Sequence, residues 1–489
     1  MSELGAVRPH VDSGSPHPRP GLLVATLSVV ALTVAVLQTG VVPVLGVIAR
    51  QLNASTVHVS WAVTANLLAA AATTPLIGRL ADLYSKRRVL LVVLAVVLAG
   101  SLLAALTASL PLLIIARVLQ GASYSLYPIS VSILREELPP DRLMRAMAVL
   151  SGTLGFGGGM GLVVTGLLMR GDAGYHRVFW LTTAFTAMVI VMVLLVVPSR
   201  PRTASGTIDW AGALGLAVGL SAVLLAITQG TGWGWASPRT IGCAGAGLAA
   251  LGAWWWWERR SAQPLVSTAM LSRRPILLTN IATVLVGMGL YLSFLGLTDF
   301  VQSPVASGYG FGATVLGASL VFLLPGAVAG FVTAVLSGRY IDRFGARIVL
   351  VVGAMAGVVG FTLLAVLHDQ PWQVIAATVL ANAYISLAYG ALPALVVQEV
   401  DAGETGVATS MNAIARTIGS SVAAAIVAVL LSRSQHGFPA ESSFIAIFVL
   451  GAVTALGALV LIATTRPRLR RLESLDDITD SRAMNHEWG

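Results

Sequence analysis

Long apolar runs separated by short polar stretches follow one another along almost the whole chain. A helix that crosses the hydrocarbon core of a membrane needs about 20 predominantly apolar residues. This measure predicts about fourteen spans, near 21–49, 58–81, 89–108, 110–134, 144–169, 177–198, 210–230, 238–257, 276–302, 313–338, 347–367, 371–398, 407–432 and 443–464. An even number of spans places both termini on the same side of the membrane.

The composition supports an integral membrane protein. Of the 489 residues, 56% are hydrophobic and 10% are charged, whereas a soluble domain carries about 25% charged residues. The net charge of +9 comes from basic clusters between apolar runs, where such clusters set topology and meet anionic lipid. A lipid bilayer is therefore the expected partner, and nucleic acid is not. Because Cys243 is the only cysteine, an intrachain disulfide and a cysteine-based metal site are excluded, and we expect no metal or other cofactor.

Basic residues alternate between the two sides of the predicted topology. One set of loops holds only single arginines, whereas the other set holds clusters, namely 86–88, 135–145, 200–202, 259–260, 273–274, 339–347 and 466–471. Clusters of Lys and Arg mark cytoplasmic loops. Both termini are therefore predicted to be cytoplasmic.

One segment of the chain is repeated. The sequence GRLADLYSKR at 78–87 recurs as GRYIDRFGAR at 338–347, each time after the second helix of a six-helix block. Repeated helix blocks are typical of secondary transporters. The predicted division is a disordered tail at 1–20, a six-helix bundle at 21–198, two extra helices with linkers at 199–275, a second six-helix bundle at 276–465 and a tail at 466–489.

Four stretches together resemble the major facilitator superfamily, and within it the fourteen-helix branch of drug:proton antiporters. They are the loop signature at 78–88, Arg117-Val-Leu-Gln120-Gly121, the glycines of 152–161, and Asp209-Trp210-x-Gly212. The resemblance implies an all-α membrane fold with two six-helix bundles and two additional spans. It also implies export of small amphipathic compounds such as drugs or antibiotics, by proton antiport and alternating access, from a bacterial cell. The expected location is the inner or plasma membrane, and the expected state is a monomer.

The repeated segment predicts a gate. A carboxylate at the membrane edge can accept hydrogen bonds from a helix N-terminus or from arginine. We hypothesise that Asp82 forms a latch that stabilises the outward-facing state and that Asp342 is its counterpart; plain control of topology by surface charge is the alternative. The gating residues are Gly78, Arg79, Asp82, Arg87, Gly338, Asp342 and Arg347.

An ionisable group inside a bilayer is costly, so Arg117 needs a reason to lie there. It shares a helical face with Gln120, Gly121, Tyr124 and Tyr127, and this face is predicted to line a central cavity. Arg117 then tunes protonation and shapes the substrate path, or alternatively ties helices together through backbone carbonyls. The residues assigned to proton coupling are Arg117, Gln120, Gln38, Asp299 and Arg416. Gln38 stands where the resembled branch often has an aspartate.

Other polar residues on the apolar helices are candidates for substrate contact. They are Tyr124, Tyr127, Asn66, Asn280, Tyr291, Asn382, Tyr389 and Asn412. For an isolated Asn or Tyr, an interhelical hydrogen bond is an equal alternative. Few acids accompany them, so amphipathic, neutral or weakly cationic substrates are expected. The small residues Gly155, Gly157, Gly158, Gly159 and Gly161 are expected to form a helix pivot, or to serve ordinary close packing.

No ATP-binding loop of the Gly-x-x-x-x-Gly-Lys-Ser/Thr type occurs in the sequence. Transport would therefore draw on an ion gradient, with protons expected and sodium left open. Two alternatives remain: a dedicated exporter of one natural product or lipid, and a non-transporting membrane scaffold or sensor. No motif of an intramembrane enzyme is present, so the chain is not expected to be an enzyme.

Overall fold

The computed structural model describes residues 19–41, 44–169, 174–200, 206–432, 434–435 and 438–464. Within these ranges the chain is helical apart from its loops and one pair of two-residue antiparallel strands, β1 (Ser434–Gln435) and β2 (Phe438–Pro439). The predicted tail at 466–489 and nearly all of the tail at 1–20 lie outside the described residues.

Eighteen α-helical segments occur in the described ranges. They are α1 (Pro20–Thr39), α2 (Leu45–Gln51), α3 (Thr56–Leu83), α4 (Lys86–Leu106), α5 (Leu110–Gly121), α6 (Leu126–Glu137), α7 (Pro140–Leu168), α8 (His176–Val196), α9 (Trp210–Trp233), α10 (Pro238–Glu258), α11 (Thr268–Ser272), α12 (Arg274–Gln302), α13 (Val315–Gly317), α14 (Leu324–Phe344), α15 (Ala346–Val366), α16 (Pro371–Gln398), α17 (Thr405–Leu431) and α18 (Glu441–Thr464). Short 3₁₀ turns lie at Ala122–Ser125, Val305–Ser307 and Ala402–Glu404, and a π-helical turn lies at Ala318–Leu323.

Thirteen described helices are long and apolar enough to cross a membrane, with α5 and α6 counted as one continuous span. The remaining predicted span is α10, which is 21 residues long. Its apolar content is diluted by glycines and by the run of four tryptophans at 254–257. It nevertheless packs along α9, where Gly219 lies against Leu251 and Gly247 against Val223. The predicted all-α membrane fold is confirmed.

The helices pack in two groups with α9 and α10 beside them. In the first group α1 packs on α7 and α8, α4 on α5 and α8, and α3 on α5. In the second group α12 packs on α17 and α18, and α15 on α16 and α18. The two groups, called here the two halves, meet where α7 contacts α14 and α16 and where α3 contacts α17. Helix α9 contacts both α3 and α17.

Three predicted spans are not single regular helices. The run at 110–134 consists of α5 and α6 with the 3₁₀ turn Ala122–Ser125 between them. The run at 21–49 was expected to be continuous, but α1 ends at Thr39 and a separate helix begins at Leu45. Pro43, between them in the sequence, has no backbone N–H with which a helix could continue. The run at 313–338 contains the π-helical turn before α14. This wider turn precedes Pro325, whose missing N–H interrupts the regular helical ladder.

Most helix starts follow from local sequence. The side chains of Ser55, Asp209 and Ser237 each accept a hydrogen bond from a backbone N–H in the first turn of α3, α9 and α10. Such capping satisfies donors that have no partner within the helix. Proline stands at the first or second position of several others, including α1, α7 and α16, where its missing N–H costs nothing.

The two copies of the repeated segment differ in their turns. Gly345 links α14 to α15 with a φ of 83°, a conformation that side chains rarely adopt. Ser85 holds the matching position between α3 and α4, and its φ is −59°. The serine is therefore compatible with the first turn, which does not need the backbone freedom that the second turn requires.

Helices α12 and α17 cross at two glycines. A Cβ added to Gly287 would overlap the backbone oxygen of Arg416, and one added to Gly419 would overlap that of Val284. Small residues at such crossings let helix backbones approach closely in a membrane. The contact holds Arg416 against α12, next to the cavity described below.

Gly419→Leu is expected to destabilise the protein by about 1–3 kcal/mol, because the new side chain must push the two helices apart. The measurement is the apparent melting temperature of purified protein in detergent. Gly242→Leu is the matched control, since nothing lies within 4 Å of a Cβ at that position on α10. Equal melting temperatures for the two variants would show that the crossing is not tight.

Candidate functional site

A central cavity lies between the two halves. It consists of two adjoining chambers with volumes of about 140 and 510 Å³, which share Gln38, Tyr291 and Leu295 in their walls. The second chamber has the size of a small-molecule site, and the first is a narrow extension of it. The walls come from α1, α3, α5, α7 and α9 on one side and from α12, α14, α16 and α17 on the other.

The cavity is closed towards one end of the molecule. We call this the basic end; it is the end that holds the turns after α3 and α14 and the N-terminus of α17. The residues lining the first chamber stop at Leu154, Tyr389 and Arg416. Beyond them the halves touch, with Gly152 against Ala334 and Gly338 against the backbone of Arg145. The second chamber extends the other way, towards the opposite end, where it is lined by residues at the ends of α9 and α17.

Arg117 lies in the wall of the second chamber and is 1% exposed. Its Nε donates to the Ala62 carbonyl (3.2 Å), and its Nη1 donates to the Leu37 carbonyl (3.4 Å) and to Gln120 Oε1 (2.6 Å). It therefore ties α5 to α1 and α3. The geometry is compatible with a role in transport and with a role in joining helices, because the same side chain borders the cavity and bonds backbone carbonyls.

Of the other residues on the Arg117 face, one lines the cavity and the rest pack against neighbouring helices. Tyr124 lines the second chamber, as predicted. Gln120 does not; it is fully buried and donates to Ser101 Oγ (2.9 Å), so it orients Arg117 from behind. Tyr127 is also buried outside the lining and pairs with Ser151 (2.7 Å). Gly121 packs against the backbone of α3. The prediction that the whole face lines the cavity is wrong, because α3 and α4 cover part of it.

Asn66 combines both kinds of contact. It lines the second chamber, and its Nδ2 donates to the backbone oxygen of Arg117 (2.9 Å). Gln38 borders both chambers. These two residues bring uncharged polar groups to the first-half wall.

Arg416 lies in the wall of the first chamber. Its guanidinium group stands 4.5 Å from the centre of the Tyr389 ring and 5.6 Å from that of Tyr127. A cation over an aromatic face is attracted by the ring quadrupole. Within the described chain Arg416 forms no ion pair, so these two rings are its electrostatic partners.

Second-half polar residues are placed partly as predicted. Asn382, Tyr389 and Tyr291 line the first chamber. Asn412 does not; its Nδ2 donates to Asn280 Oδ1 (2.9 Å) and to Thr283 Oγ1 (2.8 Å). The inclusion of Asn280 and Asn412 in the cavity is wrong, because both are used to join α12 to α17.

Asp299 lies near the end of α12, at the opposite end of the molecule. Its side chain is exposed, and it lines neither chamber. This placement is that of a solvated carboxylate at the rim of the molecule. Within the described ranges, no three His, Cys, Asp or Glu side chains come together in a way that could hold a metal ion.

Asp82 links the two halves at the basic end. It is fully buried, and its two carboxylate oxygens accept hydrogen bonds from the backbone N–H groups of Gly406 (2.9 Å) and Val407 (3.0 Å). These groups open α17, whose N-terminus carries unpaired donors and a positive helix-dipole end. The carboxylate is thus the partner that this terminus requires.

Close packing surrounds this contact. A side chain on Gly78 would overlap Ser410 and the Gly406 carbonyl, and one on Gly406 would meet the Asp82 carboxylate. The Nε of Arg79 is buried without a hydrogen-bond partner among the described residues. Glycine at 78 and 406 therefore lets the Asp82 carboxylate reach the end of α17.

The second copy of the segment makes a different contact. Asp342 pairs with Arg145 Nε on α7, and Gly338 packs against the backbone of the same arginine. The Arg145 side chain is 61% exposed, whereas Asp82 has no exposed surface. The two copies both join the halves, but only the first does so through a helix N-terminus.

The last arginine of each copy has the same role in its own half. Arg87 donates to the Leu194 carbonyl (2.6 Å) at the end of α8, and Arg347 donates to the Ile462 (3.0 Å) and Ala463 carbonyls at the end of α18. Terminal carbonyls are unpaired within a helix and favour a cation. These arginines fasten the last helix of each half rather than joining the halves.

Two further arginine contacts at the basic end were not predicted. Arg135 on α6 donates to the Val400 carbonyl (2.7 Å) and to Thr405 Oγ1, which lie in the other half. Arg200 makes a bidentate pair with Glu137 (2.7 and 3.1 Å) within the first half. The hydrogen bond and the negative charge of Glu137 raise the pKa of Arg200 above its ordinary value.

The glycines of helix α7 face α1, α14 and the first chamber. Gly157 and Gly161 pack against α1, and Gly152 and Gly159 pack against Ala334 and Ala327 of α14. Gly155, Gly158 and Gly159 also line the first chamber. Close packing is thus the observed use of these glycines, and it includes the boundary between the halves.

Sequence reasoning missed the contribution of α9. Thr228, Gln229, Thr231 and Gly232 line the second chamber, and Gln229 Nε2 donates to Thr64 Oγ1 of α3 (3.2 Å). A glutamine in an otherwise apolar helix is a usable signal. The resemblance places α9 in a pair of helices outside the two bundles and so gives no reason to expect it at the cavity.

Comparison with known proteins agrees with this architecture. The family model of the Major Facilitator Superfamily matches residues 27–424 and, in a second match, 294–483. The chain is 28% identical over 440 residues to the tetracenomycin C resistance and export protein of Streptomyces glaucescens, covering 88% of this chain and 79% of that protein. It is 27% identical over 386 residues to the multidrug resistance protein B homolog of Mycobacterium tuberculosis, covering 76% and 69%.

A solved structure shares the fold. The crystal structure of the human organic anion transporter MFSD10 aligns with a TM-score of 0.62 at 14% identity, covering 91% of this chain and all of that chain. At this identity the likeness describes the arrangement of the helices and carries no information about substrate.

Proposed function

Because the chain belongs to the Major Facilitator Superfamily, a family of transporters, we propose that it exports small amphipathic compounds such as drugs or antibiotics by proton antiport and alternating access. Membership makes it a multi-pass membrane transporter and not an enzyme. The observation that carries the proposal is the central cavity between the halves, closed at the basic end by contacts that cross from one half to the other.

The orientation that we propose in the membrane rests on where the charges lie. The basic end holds Lys86, Arg87, Arg142, Arg145 and the arginines of the second copy, whereas the opposite end holds Arg50, Arg177 and Arg239. By the positive-inside rule the basic end is cytoplasmic. The cavity, closed at that end, then faces the outside; an exporter releases its substrate from this state, and the choice of export rests on the names of the relatives given below.

Alternating access requires the cross-half contacts at the basic end to break. These are Asp82 on the end of α17, the Arg145–Asp342 pair and the bonds of Arg135 to Val400 and Thr405. When such a contact breaks, water can replace the lost hydrogen-bond partner. Each contact is therefore suited to a reversible gate. The glycine contacts of α7 lie at the same boundary and allow its helices to shift without side-chain collision.

An ion gradient is the energy source we propose, and the proton is the expected ion. A proton that moves down the membrane potential releases about 2.3 kcal/mol per 100 mV. This energy supports a substrate gradient of more than tenfold with one proton per substrate. Arg117 favours the proton as the coupling ion, because it borders the cavity and belongs to the motif that resembles the antiporter branch. Sodium is the alternative ion.

The names of the relatives support export of organic compounds. One relative is named for resistance to and export of a single compound, tetracenomycin C, and the other for multidrug resistance. The first name favours a second candidate function, namely dedicated export of one natural product or lipid. A scaffold or sensor would need neither a central cavity nor contacts between the halves that close one end of it.

The test is transport by purified protein in proteoliposomes that contain a pH-sensitive dye, with an imposed proton gradient and a panel of lipophilic dyes and antibiotics. We expect proton flux that depends on substrate and that persists when sodium is replaced by choline. Flux that needs sodium would replace the proton as the coupling ion. Flux with a single panel member would favour the dedicated exporter. No transport of any compound by folded protein would contradict the proposal.

A further inference from the structure

Two guanidinium groups border the same central cavity. Arg117 lies in the wall of the second chamber and Arg416 in the wall of the first, and Tyr291 borders both chambers. Gln38 and Leu295 are shared by the two chambers in the same way. The two charges therefore lie on the walls of adjoining parts of one cavity.

No described residue that lines either chamber is acidic. Arg117 is held by two carbonyls and an amide oxygen, and Arg416 by two aromatic rings. These partners orient the cations without neutralising them. An uncompensated charge in a low-dielectric site is costly, so an anion that enters the cavity gains from both groups.

Each arginine has donors to offer. Among the described residues, the hydrogen bonds of Arg117 use Nε and Nη1 but not Nη2. The guanidinium carbon of Arg416 lies over the rings of Tyr389 and Tyr127, and among the described residues its N–H groups have no hydrogen-bond acceptor. Guanidinium edges match carboxylates geometrically and bind them through two parallel hydrogen bonds.

The remaining wall residues are suited to the apolar part of a ligand. Leu290, Phe294, Leu295, Leu323 and Ile385 line the first chamber, together with bare glycine surface from α7. A ligand that satisfies both kinds of wall carries an anionic group on an aromatic or aliphatic skeleton. A cation would meet two like charges, and Arg416 already occupies the ring face of Tyr389 that would otherwise attract it.

We propose that the central cavity selects amphipathic organic anions, with Arg416 and Arg117 as the groups that bind the carboxylate or phenolate. This differs from the neutral or weakly cationic substrates expected from the sequence, because residue counts alone did not show that both arginines and no described acid reach the cavity wall. The inference rests on the proposed function in that it takes this cavity as the substrate site.

The experiment uses three fluorescent probes with one skeleton and different charge: 9-anthracenecarboxylate, 9-anthracenemethanol and 9-(aminomethyl)anthracene. Their affinities are measured for the full chain in nanodiscs of uncharged lipid. We expect the carboxylate to bind at least about tenfold more tightly than the alcohol, and the amine to bind most weakly, in line with the gain from one charge-assisted contact.

Variants assign the preference to the arginines. Arg416→Gln is expected to reduce the preference for carboxylate over alcohol to within about threefold, whereas Arg416→Lys keeps the charge and most of the preference. Arg239→Gln removes an exposed arginine far from the cavity and is expected to change nothing. The comparison of the three probes on the unmodified chain needs no variant to fold.

The inference is overturned if the alcohol or the amine binds as tightly as the carboxylate, or if the preference survives in both Arg416→Gln and Arg117→Gln. The same probes are then tested for gradient-driven transport in proteoliposomes. Transport of all three probes without a charge preference would overturn the inference and leave the exporter standing. Selective binding of the carboxylate without transport would support the inference and contradict the exporter.

Discussion

Asp82→Asn is expected to lower transport at least about tenfold, because it weakens two hydrogen bonds to a charged acceptor, each worth about 1.5–3 kcal/mol. The carboxylate accepts from Gly406 N and Val407 N at once. An asparagine has only one carbonyl oxygen, and its NH₂ group would face the second backbone donor. The substitution keeps the side-chain volume, so insertion and folding should be normal.

The physical effect is a change in population rather than a loss of the cavity. Because the Asp82 contact joins the two halves at the closed basic end, its loss is expected to favour a state in which this end is open. The measurement pairs transport with the distance between spin labels at Arg88→Cys and Arg343→Cys, two exposed positions on opposite halves, in a chain whose Cys243 is replaced by alanine. A longer mean distance is expected in Asp82→Asn.

Asp342→Asn is the matched control, since it makes the same chemical change in the second copy of the segment. Its partner Arg145 is largely exposed, and exposed ion pairs contribute about 0–1 kcal/mol. Its effect on transport is expected to stay within about threefold. Unchanged transport and unchanged label distance in Asp82→Asn would show that the first copy only controls topology.

Arg117→Ala is expected to lower substrate-driven proton flux about a hundredfold, because it removes three hydrogen bonds from a charged donor and one of the two cavity cations. The flux is measured with the pH-sensitive dye and divided by the amount of folded protein, so that lower stability is counted separately. Arg117→Lys keeps the charge but cannot make the same fork of bonds to Ala62, Leu37 and Gln120. It should retain part of the flux.

Gln120→Leu separates the two roles of Arg117. It keeps the arginine but removes the acceptor of its shortest bond (2.6 Å), so the guanidinium group is no longer held from behind. A purely structural arginine would lower stability in both Arg117→Ala and Gln120→Leu while leaving flux per folded molecule near normal. That pattern would contradict the coupling role.

Membrane spans were predicted well because the hydrocarbon core imposes one length and one polarity on every helix that crosses it. The starts of α12, α15 and α16 lie within two residues of the predicted positions. The failures are local breaks inside apolar runs, at Thr39, at the 3₁₀ turn of 122–125 and at the π-helical turn of 318–323. A break of this kind changes the backbone without changing the polarity of the run.

The cavity was predictable only in part. Periodicity shows which residues share one face of a helix, but it does not show what that face contacts. Arg117, Tyr124 and Tyr389 lie in the cavity wall. Gln120 and Asn412 have the same polarity and spacing, yet another helix covers each of them, α4 for Gln120 and α12 for Asn412. Whether a polar face meets a partner helix or open space is therefore decided by the packing of other helices, which the pattern of one helix does not describe.

Asp82 illustrates what local sequence can predict. Its expected acceptor role at a helix N-terminus agrees with the geometry, because an edge carboxylate has few other buried partners. The identity of that helix, α17, more than 320 positions along the chain, could not be read from the segment itself. The contact of Arg135 with the same region was missed for the same reason.

Helix α9 has a consequence for compounds that dissolve in the lipid. It covers the seam between α3 and α17, and its Gln229 bonds Thr64 there. The matching seam on the other flank, between α7 and α14, is closed by direct contacts of these two helices, namely Gly152 and Gly159 with alanines, the rings of Phe156 and Phe331 (5.2 Å between centroids) and the Arg145–Asp342 pair. A lipophilic molecule that approaches sideways from the bilayer therefore meets an added helix on one flank and the direct boundary between the halves on the other.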